Sequence, residues 1–286
     1  MIMATIAFLG TGLLGSAFAE AAAKRGDTVT AWNRSIDKVQ ALAQFGVKAA
    51  ATPADAVRGA SRVHIVLKDD AIVEEVISAA RSGLSPDAIL IDHTTTLPTL
   101  TAERAKRLHA AGIKYLHCPV FMGPAAARNA QGSMMAAGPK ALFESVQADL
   151  AKMTSRLEYL GERSDLAAAN KLFGNAMIIG LSAVMADVLT LAQASDVNGE
   201  DAIKLLSLLD LNSMVAVRGV NMAKGNFTPS FELAMARKDV RLMLETTGDR
   251  PMAALPAVAA RMDQLIAAGH GAEDASVVGI DAVSRG

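Results

Sequence analysis

The chain reads as an α/β protein, a doubly wound and mostly parallel sheet followed by an all-helical second half. Three observations predict this. Up to Gly161, short β-branched and aliphatic runs alternate with helical patterns. A Gly-x-Gly-x-x-Gly segment, Gly10-Thr11-Gly12-Leu13-Leu14-Gly15, opens the first helix. After Gly161 strand patterns all but cease.

The expected strands are Thr5–Leu9, Thr28–Trp32, Val63–Leu67, Ala88–Ile91 and Lys114–His117, with two more at Ser133–Ala136 and Arg156–Leu160. Each is short and apolar, as strands buried on both faces should be. Between them lie helical patterns at Leu14–Lys24, Lys38–Phe45, Pro53–Gly59, Ala71–Ala80, Thr99–Ala110 and Ala141–Lys152. Thr52-Pro53-Ala54-Asp55 is a helix start: a capping hydroxyl, proline at the first helical position and an acid in the first turn. Asp165–Ser195 reads as one long helix, apolar all round and therefore expected to be buried between domains or subunits. Shorter helices follow at Glu200–Leu208, Leu233–Thr246 and Pro256–Ala268. The expected domains are residues 1–163 and 164–286.

Composition narrows the function. With 28 basic and 29 acidic side chains, no positive excess exists to neutralise phosphate backbones, so nucleic acid is not an expected partner. The lone cysteine, Cys118, excludes an intrachain disulfide and suits a reducing compartment. The apolar start, Met1 to Leu9, resembles a leader, but no Lys or Arg precedes Lys24. Ala176–Leu191 is short for a membrane span and carries Asp187. A cytoplasmic protein without membrane association is expected. The five histidines and one cysteine show no ligand spacing, so no metal is expected.

The glycine segment follows a strand and opens a helix, the setting in which it binds a dinucleotide. Gly10 allows the tight turn, Gly12 lets backbone N–H groups approach a pyrophosphate, and Gly15 lets the helix pack on the strand. The helix N-terminus then favours the phosphate charge. Eighteen residues after Gly15, where an NAD-binding chain places an acid for the ribose, stands Asn33-Arg34-Ser35. Arg34 can pair with a 2′-phosphate, and Asn33 and Ser35 can hydrogen-bond it. NADP(H) is thus preferred over NAD(H). Hydride transfer to a carbonyl also needs a proton donor, and Lys171 and Asn175 share one face of the long helix. Gly174 between them leaves room for a ligand.

Several segments in order resemble the β-hydroxyacid dehydrogenase family, which includes 3-hydroxyisobutyrate dehydrogenases and glyoxylate/succinic semialdehyde reductases. They are the glycine segment, Asn33-Arg34-Ser35, Leu67-Lys68-Asp69-Asp70, Asp92 to Pro98, Cys118-Pro119-Val120 through Gly132-Ser133, Asn170 to Asn175, and Phe231 with Arg237 to Val240. The resemblance implies a Rossmann domain, a long interdomain helix and an all-α domain used in dimerisation, giving a homodimer or homotetramer. It implies Lys171 as catalytic acid/base and Asn175 as substrate holder. Thr95 would sit near nicotinamide and substrate. Leu13, Leu14, Leu67, Lys68 and Lys238 would contact the cofactor, with Phe231 and Asp239 at the substrate pocket.

One departure matters. Where the family places Ser-Gly-Gly after Pro-Val, this chain has Phe121-Met122-Gly123. The hydroxyl donor is gone and two bulky apolar side chains stand in its place. Either the substrate's distal part is apolar, or its acid is bound by another group, or both side chains face the core and the loop binds as usual. The leading expectation is an NADP(H)-dependent oxidoreductase interconverting a small aldehyde or keto compound and its alcohol. Imine reductases share the architecture but generally carry Asp or Tyr at the position of Lys171. An inactive NADP-binding interaction module is the rival from another class.

Overall fold

Side-by-side pairing of the apolar runs builds the first half of the molecule. The computed structural model describes residues 5–283; Met1–Ala4, the start of the leader-like run, lie outside them. The strands are β1 Thr5–Leu9, β2 Thr28–Trp32, β3 Lys48–Ala49, β4 Arg62–Ile65, β5 Ile89–Asp92, β6 Lys114–His117, β7 Val120–Phe121, β8 Ser133–Ala137 and β9 Arg156–Gly161. Their order is β3-β2-β1-β4-β5-β6-β8-β7, with β9 on β8. All pairs are parallel except those of β8 with β6 and β7. The β3-β2-β1-β4-β5-β6 core is the arrangement of a Rossmann domain, whose crevice opens at the carboxyl ends of the strands.

The helices of this half are α1 Leu13–Lys24, α2 Asp37–Gln40, α3 Pro53–Val57, α4 Asp70–Ala80, α5 Pro98–Ala110, α6 Pro124–Arg128 and α7 Lys140–Leu150. The expected cap holds, since Thr52 Oγ1 accepts the Asp55 N–H at 3.1 Å. The expected helix Lys38–Phe45 is instead α2 and a 3₁₀ turn, Ala43–Phe45, ended by Gly46 at φ +86°. Two apolar cores sandwich the sheet, one around Phe8, Phe18 and Leu116, the other around Leu9, Ile65 and Tyr115.

α8, Leu166–Ala194, is the long helix read from the sequence. Its expected burial is not what the chain provides. Ala167, Ala168, Asp187 and Ala192 are buried, but Phe173 is 65% and Ile179 68% exposed. A helix apolar all round needs cover on every side, and one copy of the chain supplies it at only a few positions. By length and composition alone the helix is also able to cross a membrane, a reading the shorter Ala176–Leu191 run had not suggested.

The chain divides into two compact units within this helix, one ending at Asn175 and one starting at Ala176. That is twelve residues beyond the expected boundary at 163. The difference arises because Leu166 and Ala167 pack with Phe121, Met135 and Leu160 of the first unit. The second unit adds α9 Gly199–Lys204, α10 Leu211–Met214, α11 Val220–Ala223, α12 Leu233–Thr247 and α13 Leu255–Ala267. A π-helical turn, Val215–Gly219, joins α10 to α11, a region where no helix was expected. The core of this unit is Leu233, Ala236 and Val240 against Ala259, Met262 and Leu265.

Asp187 explains how a charge sits inside an apolar helix. Its carboxylate accepts the N–H groups of Ala253, Ala254 and Leu255, the orphan donors at the start of α13. Burial pushes the carboxyl up, and the three donors more than reverse this, holding it below its ordinary value. Replacing Asp187→Ala strands three donors and should cost about 2 kcal/mol or more. A denaturation midpoint unchanged from wild type would contradict this cap.

Candidate active site

The first site is a cleft of about 550 Å³ at the carboxyl ends of β1, β2, β4 and β5. It gathers Gly10, Gly12, Leu13, Leu14, Asn33, Arg34, Ser35, Leu67, Lys68 and Thr95 on one lining, all residues singled out from the sequence. Gly10 has φ +101°, and a Cβ there would lie 2.2 Å from Val66 O. A Cβ on Gly15 would lie 2.1 Å from Gly10 O. At Gly12 a Cβ would meet no atom within 4 Å, so the backbone faces open cleft. α1 starts there with no side-chain cap and no acid in its first turn. Free N–H groups aimed at an open cleft fit a pyrophosphate.

Asn33 is committed to the loop itself. Its Oδ1 accepts the Thr11 N–H at 3.1 Å and its Nδ2 donates to Ser35 O at 3.1 Å. Its role is therefore to hold the β2 end against the glycine turn, leaving Arg34 and Ser35 exposed. Among the described residues Arg34 has no carboxylate within 4.0 Å. Lys38 lines the same end of the cleft and was missed from the sequence. Its position in α2, four residues past Arg34, was the available signal. Two acids also line the cleft, Asp69 and Glu75. Asp69 is engaged in capping α4 through the Ile72 N–H.

Three loops of this cleft are stitched together by buried polar groups. Thr94 Oγ1 accepts the Leu67 N–H at 3.1 Å, joining the β4 loop to the β5 loop. Asp92 accepts the Thr94 N–H and the Tyr115 hydroxyl, both at 2.9 Å. His93 Nδ1 lies 2.7 Å from Cys118 O and so donates to it. Its Nε2 then accepts from His64 Nδ1 at 2.9 Å. His117 Nε2 donates to Thr94 O at 2.9 Å, leaving Nδ1, which has no partner among the described residues, as the unprotonated nitrogen. Burial drives all three histidines down, and His93 falls to about 4. His93 is structural, and its ring helps line the cleft.

The second site lies where β7 meets α8. Lys171 Nζ sits 4.0 Å from the centroid of the Phe121 ring. Lys171 is half-buried, and among the described residues no carboxylate lies within 4.0 Å of it. Burial lowers its pKa from the ordinary lysine value. Asn175, one turn on, is half-buried. The room expected beside Gly174 is not free for a ligand, because the Phe121 ring fills it: a Cβ there would lie 2.2 Å from Phe121 Cζ. Phe121, the last residue of β7, and Met122, just past it, pack in different clusters. Met122 packs on the core around Phe8 and Phe18, away from the place expected of a substrate contact. Gly123 starts α6 and is exposed.

Phe231, Lys238 and Asp239 belong to the second unit. Lys238 Nζ pairs with Asp239 at 2.7 Å, and both side chains are near half-exposed. Phe231 is 38% exposed, its N–H held by Asp274.

Two family models match. The NAD binding domain of 6-phosphogluconate dehydrogenase matches residues 5–161. The NAD-binding region of NADP-dependent 3-hydroxyisobutyrate dehydrogenase matches residues 166–279. Glyoxylate/succinic semialdehyde reductase 1 of Arabidopsis thaliana is 29% identical over 263 residues, 89% of each chain. The cytokine-like nuclear factor N-PAC of Homo sapiens is 29% identical over 246 residues, 84% of this chain and 44% of that one. This chain therefore spans less than half the length of N-PAC. An imine reductase of Streptomyces aurantiacus has the same fold, with a TM-score of 0.88 at 23% identity over 97% of this chain and 99% of that one.

The histidine stitching makes stability depend on pH with a definite sign. In the unfolded chain His93 takes a proton near 6.5, whereas in the fold it resists one until about 4. Its contribution is complete above pH 6.5 and drains away as pH falls towards 4. The His93 ring proton resonance should stay fixed from pH 7.5 to 5, while the melting temperature falls over that range. Titration of that resonance near 6.5 would refute the buried neutral pair.

Proposed function

The chain belongs to the β-hydroxyacid dehydrogenase family of NAD(P)-binding oxidoreductases, and from that premise we propose that it interconverts a small aldehyde or keto compound with its alcohol, using NADP(H). Lys171 carries this reading. A half-buried amine with no carboxylate within 4.0 Å among the described residues, and with a pKa lowered by burial, releases its proton more readily than an exposed lysine. Bound NADPH supplies the hydride to the carbonyl carbon. Lys171 Nζ holds the proton that passes to the carbonyl oxygen and takes it back in the oxidation direction. Asn175, on the same helical face, is placed to hold that oxygen or orient the amine. Thr95 lines the cofactor cleft from the β5 loop. Phe231, Lys238 and Asp239 are assigned to cofactor and pocket by resemblance alone.

The preference for NADP(H) rests on Arg34 and Lys38 at one end of the cleft, with Asn33 where an NAD-binding chain has an acid. The second matching family, that of an NADP-dependent enzyme, points the same way. Imine reduction is supported by the apolar Phe121 and by the shared fold, and is opposed by Lys171. An interaction module is supported by the likeness to N-PAC. One set of rates separates the three: NADPH and NADH oxidation against aldehydes, keto acids and cyclic imines. Carbonyl turnover should fall about 10²–10⁴-fold in Lys171→Ala with NADPH affinity unchanged. Arg34→Ala should narrow the NADPH-to-NADH ratio of kcat/KM. Faster turnover of imines, or tight NADPH binding with no turnover at all, sinks the proposal.

The exposed face of α8, including Phe173, Met177, Ile178 and Ile179, would be covered by a second copy of the chain in a cytoplasmic homodimer or homotetramer. Light scattering should give twice or four times the 29.7 kDa chain mass. A monodisperse monomer, or recovery only with membranes, removes this assignment.

A further inference from the structure

Phe121 and Gly174 fit each other as a ring and a notch. Phe121 ends β7 and packs with Met135, Leu160 and Leu166. Its ring enters α8 tip-first: a Cβ on Gly174 would lie 2.2 Å from Cζ, 2.7 Å from Cε1 and 3.0 Å from Cε2. Those atoms are the rigid end of an aromatic ring, so any other residue at 174 would expel it. The same ring presents its face to Lys171 Nζ at 4.0 Å. The amine that handles the proton is thus floored by hydrocarbon.

We propose that the Phe121–Gly174 pair determines the substrate class, selecting uncharged aldehydes and ketones over small carbonyl compounds that carry a carboxylate. The inference rests on Lys171 being the acid/base. Three physical terms support it. The face of an aromatic ring is its negative side, so it attracts the ammonium and repels a carboxylate brought to the same place. The ring offers no donor, and a carboxylate taken out of water without donors is strongly disfavoured. The neighbouring side chain supplies no donor either, since Met122 is a thioether and packs on the core. Lys171 itself could pair with a carboxylate, but that pairing would stabilise its charged form and oppose the proton transfer it performs. An alkyl substituent on an uncharged carbonyl gains contact with the ring instead.

The ring also sets Lys171 in a balance. Its face favours the charged amine, while burial favours the neutral one and lowers its pKa. A shift in the acid/base profile should therefore accompany loss of the ring.

The test compares kcat/KM for butanal and for 4-oxobutanoate, its carboxylate-bearing counterpart, with NADPH. Wild type should favour butanal at least tenfold. Phe121→Ser should shrink that ratio at least tenfold and move the pH profile, while Phe121→Leu should keep the preference. Gly174→Ala should depress turnover of both compounds by expelling the ring, and Phe121→Ser with Gly174→Ala should recover it. The variants are first checked for folding by circular dichroism and NADPH fluorescence. If Phe121→Ser does not fold, the Gly174→Ala and Phe121→Leu results decide. Wild type favouring 4-oxobutanoate, or a ratio indifferent to the ring, or wild-type kinetics in Gly174→Ala, overturns the inference alone when turnover still depends on Lys171. No Lys171-dependent turnover of either compound overturns the carbonyl reading as well.

Discussion

At the end of β1 three backbone segments meet more closely than any side chain permits. Gly10 lies against the Val66 carbonyl of the β4 end, and Gly15 of α1 lies against the Gly10 carbonyl. A methyl at either glycine would sit near 2 Å from an oxygen. Only that proximity lets α1 begin directly over the strand ends, with its free N–H groups at the floor of the cleft. The cleft between the β1, β2, β4 and β5 loops, and every cofactor contact assigned to it, depends on this crossing.

Position alone would leave the loops independent. Buried polar groups tie them: Thr94 holds the β4 loop, Asp92 holds Thr94, and His93 and His117 reach between the β5 and β6 loops. Neutral imidazole serves here because it bridges a donor and an acceptor without bringing a charge into the core. The wall so formed leads from the cofactor cleft along β6 to Pro119, and β7 then sets Phe121 beneath Lys171.

The second site obeys the rule of the first, a glycine admitting a close neighbour. At Gly10 and Gly15 the neighbour is backbone, which gives the fold. At Gly174 it is a side chain, which gives the site an aromatic floor. A bulky residue in the loop and a missing side chain in the helix are one feature, though 53 residues separate them in the chain.

Much of this was legible in the sequence. Strands buried on both faces write themselves as apolar runs, and the long helix shows as an unbroken apolar stretch. The glycine segment and the Asn33-Arg34-Ser35 segment named the cofactor loops because local backbone geometry demands those residue types. β3 and β7 were not legible, since two residues carry no period. Lys38 stood within reach of Arg34 in the sequence, but that Thr94 and His93 share its cleft follows from the sheet bringing their loops to one edge. Composition could say that α8 is apolar, but not that the chain leaves most of it uncovered. Likewise the sequence named Phe121, Met122 and Gly174 as departures or spare room. Which side chain turns to Lys171, and what fills the glycine's space, is a matter of contacts between segments distant in the chain. Local propensity determines elements and turns. Steric fit between elements, which no local pattern encodes, decided the site.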